Sequence, residues 1–170
     1  MDTLIRPEKA ADIPAIHRVH RAAFPGPGEA AVVDALRSSE HLAVSLVAES
    51  SEAGIIGPIA FSPVRLEGGT EGIGLAPLAV LPAFQRRGIG GKLVQAGLIA
   101  CRETERPFVV VLGDPDYYCR FGFVPASRWN LSDEYDGGAA FQAMELQPTS
   151  IPAGGGLVRY GAEFSIFGQV

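Results

Sequence analysis

Apolar residues recur at helical spacing near the start of the chain. The positions that share one face are Ile13, Ile16, Val19 and Ala23. This pattern predicts a helix from about Asp12 to Ala23, with Asp12 as the expected N-cap and Pro14 in the first turn. A short apolar strand precedes the helix, and the "PGPG" break separates it from a second short helix over Glu29–Arg37.

The pattern then changes to apolar runs rich in valine and isoleucine, which are typical of strands. "HLAVSLVAE" and "GIIGPIAFSPVRLE" predict two strands divided by a polar turn at Ser50–Gly54. Gly72–Pro82 predicts a third strand, although it contains both proline and glycine. Those residues indicate a bulge or a splayed edge, where backbone groups are left without partners.

Helical spacing returns over Ile89–Glu105 and is followed by the near-continuous apolar run Arg106–Pro115. Such a run predicts a strand covered on both faces. "DYYCRFGF" predicts a short helix that stops at Gly122 and is capped by Asp114 and Asp116; weaker strand signals recur around 140–146. The element order β-α-α-β-β-β-α-β-α-β predicts a mixed α/β or α+β sheet with helices on both sides.

Composition restricts the function classes. The chain has 170 residues, 47% of them apolar, and a formal net charge of -5. That length and apolar fraction are typical of one globular domain. Since nucleic-acid binding depends on neutralising phosphates, an acidic chain disfavours nucleic acid as a partner.

Cysteine and histidine spacing gives no sign of a metal site or a disulfide framework. Cys101 and Cys119 are the only cysteines, and His17 and His20 have no acidic or thiol partner nearby in sequence. We therefore expect free thiols, packing or surface histidines, and no bound metal. The N-terminus lacks a signal-peptide pattern, and no apolar run reaches the ~20 residues of a membrane span. These features favour a cytoplasmic protein without membrane contact.

The stretch "LPAFQRRGIGGKLVQAGL" concentrates glycine where a helix begins. It fails as a P-loop, because Arg86 stands at the first glycine position and Leu93 at the Ser/Thr position. It also fails as a dinucleotide fingerprint: Gly88 and Gly90 fit, but Leu93 replaces the third glycine.

A different anion site is compatible with the same residues. A helix N-terminus presents unpaired N–H groups and the positive end of its dipole. Gly88, Gly90 and Gly91 let an anion approach the backbone closely, and Arg86 and Arg87 add positive charge. An ordinary turn with solvated arginines is the alternative, and these residues alone leave it open.

Two motifs resemble those of the Gcn5-related N-acetyltransferase (GNAT) superfamily. The first, [QR]-x-x-G-x-[GA], is matched by Gln85, Gly88 and Gly90, after a strand ending in Leu-Ala-Val and Pro82. The second, roughly L-Y-x-x-x-G-F, is matched within "YYCRFGF", with its tyrosine at Tyr118. "GLAPLAVLP" with "VVVLGDPDYYCRFGF" is most similar to the YhbS-type predicted N-acetyltransferases.

The resemblance implies a fold and a cosubstrate. The fold would be a mixed, mostly antiparallel sheet splayed in the middle, spanning residues 1–147, with 148–170 as an extension packed on the same domain. The cosubstrate would be acetyl-CoA, with its pantetheine arm on the backbone of Leu78, Ala79 and Val80. The residues implied to hold its pyrophosphate are Gln85, Arg86, Arg87, Gly88, Ile89, Gly90 and Gly91.

The implied reaction is direct transfer of an acetyl group to an amine. The amine must lose a proton, a backbone N–H near Val80 stabilises the oxyanion, and Tyr118 protonates the departing thiolate. Many family members carry a glutamate base on the strand that here reads "EGIGLAPLAV". Glu67 and Glu71 are candidate bases acting through water, although exposed strand-end charges are the plainer interpretation, and proton loss to solvent is a further alternative.

Three function hypotheses follow. The first is an acetyl-CoA-dependent N-acetyltransferase acting on a small-molecule or peptide amine. The second keeps the fold but uses another acyl-CoA donor or a hydroxyl acceptor. The third is a non-catalytic acyl-CoA sensor, which the lack of an evident base leaves open. The identity of the amine acceptor cannot be read from these residues; the partners expected are that amine and a second copy of the chain in a homodimer.

Overall fold

The computed structural model describes residues 2–168. Its α-helices are α1 Ile13–Ala23, α2 Gly28–Ser38, α3 Ile89–Arg102 and α4 Pro115–Tyr118. Its strands are β1 Thr3–Pro7, β2 Val44–Ser50, β3 Gly54–Leu66, β4 Glu71–Leu78, β5 Phe108–Leu112, β6 Val124–Pro125, β7 Leu131–Asp133, β8 Phe141–Glu145 and β9 Gly156–Arg159. Short 3-10 helices occupy Ala10–Asp12, Pro82–Phe84, Cys119–Phe121, Ala126–Trp129, Gly138–Ala140 and Ala162–Phe167.

Within residues 2–168, nine strands form one mixed sheet. The hydrogen-bonded order is β1-β2-β3-β4-β5-β8-β6, and β9 pairs with both β3 and β7. The β4–β5 and β7–β9 pairs are parallel, whereas β1–β2, β2–β3, β3–β9, β5–β8 and β6–β8 are antiparallel. The predicted class, a mixed and mostly antiparallel sheet with helices, is confirmed.

The chain divides into two compact units. The first contains the residues up to Phe61 together with Pro77–Ala100, and the second contains Ser62–Ala76 with the residues from Cys101 onward. Strands β3 and β4 each contribute residues to both units. In the part of the chain that the structure describes, no helix has the length and apolar character needed to cross a membrane.

The core of the first unit is built from α1, α2 and the strands beneath them. Its fully buried side chains include Ile16, Val19, Val33, Val47, Ile55, Ala60 and Ala79. Gly97 in α3 faces Phe61, and a Cβ at that position would overlap the phenyl ring. Glycine is tolerated inside this helix because its missing side chain leaves room for the aromatic ring.

The second unit packs phenylalanines around β5. Phe108, Phe123 and Phe141 are nearly inaccessible to solvent, with exposed fractions of 0–2%. The Phe108 ring packs directly on Gly72 in β4, because a Cβ at position 72 would overlap the ring. The extension after residue 147 supplies β9, whose register sets Arg65 against Arg159 and Leu66 against Val158.

Several element boundaries differ from the sequence prediction. Helix α3 ends at Arg102 rather than Glu105, because Thr104 caps its last turn. The Thr104 N–H and hydroxyl both donate to the Cys101 carbonyl oxygen, at 3.1 and 2.6 Å respectively. The strand predicted over Arg106–Pro115 is limited to Phe108–Leu112. Strands β6, β7 and β9 were not predicted, because segments of two to four residues carry almost no periodicity.

Asp12 is the N-cap residue of α1, as predicted, but its side chain makes no capping hydrogen bond to that helix. Its carboxylate instead accepts the Lys9 backbone N–H at 2.7 Å and pairs with the Arg6 guanidinium at 2.7 Å. These hydrogen bonds, with that from Arg6 the larger cause, lower the pKa of Asp12 to about 2. Asp114, by contrast, caps α4 as predicted, since its Oδ1 accepts the Asp116 N–H at 3.0 Å.

Candidate acyl-CoA site

The strand end Leu78–Val80 presents backbone groups that the sheet does not use. The parallel β4–β5 pairing ends at Leu75–Val111, and the chain then continues through Pro77, which has no N–H. In the first unit, Ala79 and Leu81 donate to the carbonyls of β3 at 3.1 and 2.8 Å. Alternation along an extended chain directs the Val80 N–H to the opposite side, where no residue in 2–168 accepts it.

A glycine in β3 permits this close packing of the strand end. The Ala79 carbonyl oxygen lies so near Gly57 that a Cβ there would be 2.9 Å away. A side chain at this position would displace the segment that carries Leu78–Val80. Gly57 could not be recognised from the sequence as a supporting residue, because a glycine inside a strand indicates a close approach but not which residue approaches.

Between the strand end and α3 the chain reverses through a loop with two left-handed residues. Arg86 has φ 63° and Gly88 has φ 79°, a conformation that favours glycine. A Cβ at Gly88 would meet nothing within 4 Å, so backbone conformation rather than crowding explains this glycine. Gln85 joins the loop to the strand, because its Nε2 donates to the Val80 carbonyl at 2.9 Å.

The N-terminus of α3 exposes a row of unpaired amides. The first helical hydrogen bond of α3 is donated by the Lys92 N–H to the Gly88 carbonyl oxygen, at 3.1 Å. The N–H groups of Arg86, Arg87, Gly88, Ile89, Gly90 and Gly91 have no acceptor among the described residues. These six positions therefore form a continuous donor segment at the positive end of the helix dipole.

Positive charge surrounds the same segment. Arg86, Arg87 and Lys92 are exposed, and the Arg87 guanidinium stacks over the Phe84 ring at 5.4 Å from its centroid. The arrangement has the donors and the charge needed to bind an anion with several oxygens, such as a pyrophosphate. The first unit thus brings together all ten residues predicted to bind the cosubstrate, in one segment from Leu78 to Gly91.

Tyr118 lies in the second unit, at the end of α4. Its ring packs on Gly113 just beyond β5, where a Cβ would overlap it, and makes a T-shaped contact with Phe123 at 5.7 Å between centroids. The residue is 9% exposed. Its hydroxyl forms no hydrogen bond with a described residue, and part of the oxygen is accessible to solvent. Gly113 is a supporting residue that was not predicted from the sequence, although its place at the end of an apolar strand was a signal that could have identified it.

Burial controls the protonation of this tyrosine. Desolvation, with a smaller effect from neighbouring Tyr117, raises the pKa of Tyr118 to about 12. The group is therefore a neutral phenol at physiological pH and can donate a proton or a hydrogen bond. Tyr117 itself is covered by the Arg120 guanidinium at 4.3 Å, as expected for a packing residue.

The two candidate bases differ in their surroundings. Glu71 forms ion pairs with Arg65 at 3.0 Å and Arg106 at 3.9 Å, and about half of its side chain is exposed. Glu67 is exposed in the turn between β3 and β4. Both glutamates therefore resemble exposed charged residues at strand ends more than a general base buried in an active site. Within residues 2–168, no cluster of three or more potential ligands is arranged to hold a metal ion.

Comparison with known proteins agrees with this geometry. The family model described as acetyltransferase (GNAT) domain matches residues 41–125. The chain is 38% identical to the uncharacterized N-acetyltransferase YhbS of Escherichia coli K12 over 166 residues, covering 96% of this chain and 99% of that protein.

Two solved structures share the whole fold. Escherichia coli YhbS in complex with CoA superimposes with a TM-score of 0.90 at 37% identity, covering 98% of this chain and 94% of that one. A GNAT acetyltransferase from Brucella melitensis in complex with acetyl-CoA gives a TM-score of 0.79 at 38% identity, covering 96% and 98%. With a matching family model, a relative of near-full coverage and a shared fold, this chain belongs to the GNAT family of N-acetyltransferases.

Proposed function

We propose that this chain transfers an acetyl group from acetyl-CoA directly to an amine acceptor. The observation that carries the proposal is the row of six unpaired amides at Arg86–Gly91, beside the free Val80 N–H. Relatives of the same fold hold CoA or acetyl-CoA, which gives such donors a ligand of matching charge. Cytoplasmic location and homodimer formation stay predictions.

Two groups of residues would bind different parts of the cosubstrate. The amides of Arg86–Gly91 would bind the pyrophosphate, and the backbone of Leu78–Val80 would bind the pantetheine arm as an added strand. The Gln85 amide, 2.9 Å from the Val80 carbonyl, fixes the strand end against the loop. The donors would thereby be positioned before the cosubstrate arrives, which lowers the entropic cost of binding.

The chain would supply two groups to the reaction itself. When bound, acetyl-CoA provides a thioester, whose carbonyl carbon is attacked by a neutral amine. The Val80 N–H lies between Ala79 and Leu81, whose hydrogen bonds to β3 hold this segment, and it would stabilise the negative charge that develops on the carbonyl oxygen. An amine near its ordinary pKa of ~10.4 must first lose a proton, and the exposed Glu67 and Glu71 leave solvent as the simplest acceptor.

Tyr118 would act on the leaving sulfur. A phenol with a pKa of about 12 is a poor acid toward a solvated thiolate, whose conjugate thiol has a pKa of ~8.5. Burial changes this comparison, because it raises the pKa of a thiol as well: that of Cys101 in this chain is raised to about 12. Burial of the departing sulfur would raise the pKa of its thiol in the same direction, which favours proton transfer from Tyr118.

The binding step is tested with Gly90→Val. A valine at the second position of α3 would block anion approach to the amides, and the loss of two charge-assisted hydrogen bonds costs roughly 3–4 kcal/mol, or at least about 100-fold in CoA affinity. Gln95→Val, on the exposed face of the same helix, is the matched control. Calorimetric titration with CoA measures both variants, and an unchanged affinity in Gly90→Val would refute the pyrophosphate assignment.

The transfer step is tested by release of free thiol from acetyl-CoA in the presence of amines. Primary alkylamines, polyamines and peptides with free amino groups cover the acceptor classes. We expect amine-dependent thiol release by at least one class, with an N-acetyl product identified by mass. Tight CoA binding without turnover of any of them would indicate a sensor rather than an enzyme.

A further inference from the structure

Gln142 is a polar side chain enclosed in the apolar strand β8. Only 1% of the residue is exposed, and its neighbours Phe141 and Ala143 are buried as deeply. An amide removed from water costs free energy unless it forms hydrogen bonds, whereas a methionine of nearly the same shape would fill the space without that cost. The contribution of Gln142 therefore comes from its hydrogen bonds.

Both of these hydrogen bonds are donated to backbone carbonyls. The Gln142 Nε2 lies 3.2 Å from the Gly113 carbonyl oxygen and 3.3 Å from that of Ala140. Because both partners are acceptors, the amide nitrogen and not the amide oxygen must occupy this position. The Gly113 N–H donates to the same Ala140 carbonyl at 3.0 Å. The N–H and the carbonyl of Gly113 are thus both tied to the segment 140–142.

Gly113 lies where the chain leaves the sheet toward α4. The last residue pair of the β5–β8 ladder is Leu112–Phe141, so the Gly113 carbonyl lies beyond the ladder and is held by a side chain. The next residue, Asp114, accepts the Tyr118 N–H on its carbonyl oxygen at 3.1 Å. The attachment of Gly113 therefore determines where α4 begins, and α4 ends in Tyr118.

Gly113 is also the surface on which the phenol ring lies. A Cβ at this position would overlap Cε2 of Tyr118 and lie 3.5 Å from Cζ, the carbon that carries the hydroxyl. Phe123 contacts the same ring in T-shaped geometry. Because the ring packs directly on Gly113, a displacement of this glycine would move the hydroxyl. All of these residues belong to the second unit.

A hydrogen bond of the same kind lies at the other end of β5. The Ser150 hydroxyl donates to the Pro107 carbonyl at 2.9 Å, one residue before the strand begins. This bond also fixes a strand end through a side chain from a distant segment, but Pro107 supports no residue assigned to the reaction. The two bonds therefore allow the stability of β5 to be separated from the placement of Tyr118.

We propose that Gln142 is a positioning residue, whose amide holds Gly113 and thereby sets the place of the Tyr118 hydroxyl in the reaction. The proposal rests on the proposed function, in which Tyr118 protonates the leaving sulfur. Among the described residues, Gln142 bonds to none of those assigned to the cosubstrate. Its loss should therefore affect the transfer step and not the binding of acetyl-CoA.

Gln142→Met tests the proposal, with Ser150→Ala as the matched control. Each variant removes a side-chain donor to a backbone carbonyl next to β5, so each should lower the melting temperature by about 3–5 °C. We expect Gln142→Met to lower kcat about tenfold and to leave KM for acetyl-CoA within twofold, because a displaced group loses most of its effect on the reaction. Ser150→Ala should keep kcat within about twofold, since it leaves Gly113 in place. The amines are spermidine, benzylamine and a lysine peptide, assayed by thiol release. Equal losses of kcat in the two variants would overturn the positioning role.

A spectroscopic measurement separates failure of this proposal from failure of the proposed function. The four tyrosines are labelled at ¹³Cζ, and Tyr118 is assigned through its phenylalanine variant. Gln142→Met should shift the Tyr118 resonance, and Ser150→Ala should leave it unchanged. A shift in a protein whose wild type turns over no amine would support the placement of the ring by Gln142 and refute the acetyltransferase. An unshifted resonance would overturn the proposal whether or not amines are turned over, and a shift with wild-type kcat would overturn the role in the reaction.

Gln142→Asn takes the place of Gln142→Met if the methionine variant does not fold. Asparagine keeps the amide but is one methylene shorter, so the donor no longer reaches both carbonyls. A lowered kcat and a shifted Tyr118 resonance are again expected, and wild-type values of both would overturn the proposal.

Discussion

His20 makes the stability of this protein depend on pH in a range where few other groups titrate. The side chain is 1% exposed, and neither ring nitrogen has a hydrogen-bond partner among the described residues. Its ring stacks on Phe24 at 6.2 Å between centroids. Burial lowers the pKa of His20 from 6.5 to about 4, and the nearby charges of Asp34, His17 and Arg37 have smaller effects.

The size of the effect follows from proton linkage. Between pH 6.5 and about 4 the unfolded chain binds a proton at this histidine that the folded chain excludes, so the free energy of unfolding decreases as the pH falls. The full shift corresponds to about 3 kcal/mol, of which about 2 kcal/mol is lost between pH 7 and pH 5. Carboxyls with lowered pKa values, such as Asp12, lose their contribution mainly below this interval.

Urea unfolding at pH 7 and pH 5, followed through the single tryptophan, measures this loss. His20→Leu should remove most of the difference between the two pH values and should also raise stability at pH 7, because it eliminates an unpartnered buried imidazole. His17→Gln is the control, since His17 lies at the surface against Asp34 at 2.8 Å. A pH dependence that persists in His20→Leu would refute the assignment.

Three further substitutions test the site and the core. Tyr118→Phe should lower kcat at least tenfold with CoA affinity within twofold, whereas Tyr117→Phe should keep kcat; equal kcat in the wild type and Tyr118→Phe would remove this phenol from the mechanism. Gln85→Ala should weaken CoA binding roughly fivefold in a calorimetric titration, since it removes one hydrogen bond worth about 1 kcal/mol. Gly97→Val should destabilise the protein by roughly 2–3 kcal/mol in urea, because the new side chain overlaps Phe61; unchanged stability would show that the ring can move aside.

Local patterns of apolar residues were sufficient to predict the longer elements of the fold. The helices α1, α2 and α3 and the strands β2–β5 were predicted in the correct order, because each buries one face or both faces over enough residues to show a period. Strand β9 could not be predicted from "GGGLVRY". Its pairing with β3 sets residue 159 against residue 65, and no local pattern encodes a partner so far away in the chain.

The candidate site shows the same division. The glycines at 88, 90 and 91, the adjacent arginines and the Leu-Ala-Val strand end could be recognised as an anion-binding segment from the sequence. A helix N-terminus is a local structure, and its unpaired amides follow from where the helix starts. The structure added the Gln85 bond to Val80 and the close approach of Gly57 to Ala79, which depend on packing between strands.

The sequence by itself therefore determined the order of the elements, the family and the segment proposed to hold the cosubstrate, since these depend on residue type and spacing along the chain. The tertiary structure alone decided which polar groups are buried without partners. His17 and His20 are three residues apart on one helix, yet one pairs with Asp34 at the surface and the other is sealed in the core. The Tyr160 ring, which follows β9, lies against Gly74 because β9 folds back onto β3. Burial is a property of what packs against a residue from elsewhere in the chain, and it determines the pKa values and hydrogen-bonding needs of His20, Tyr118 and Tyr160.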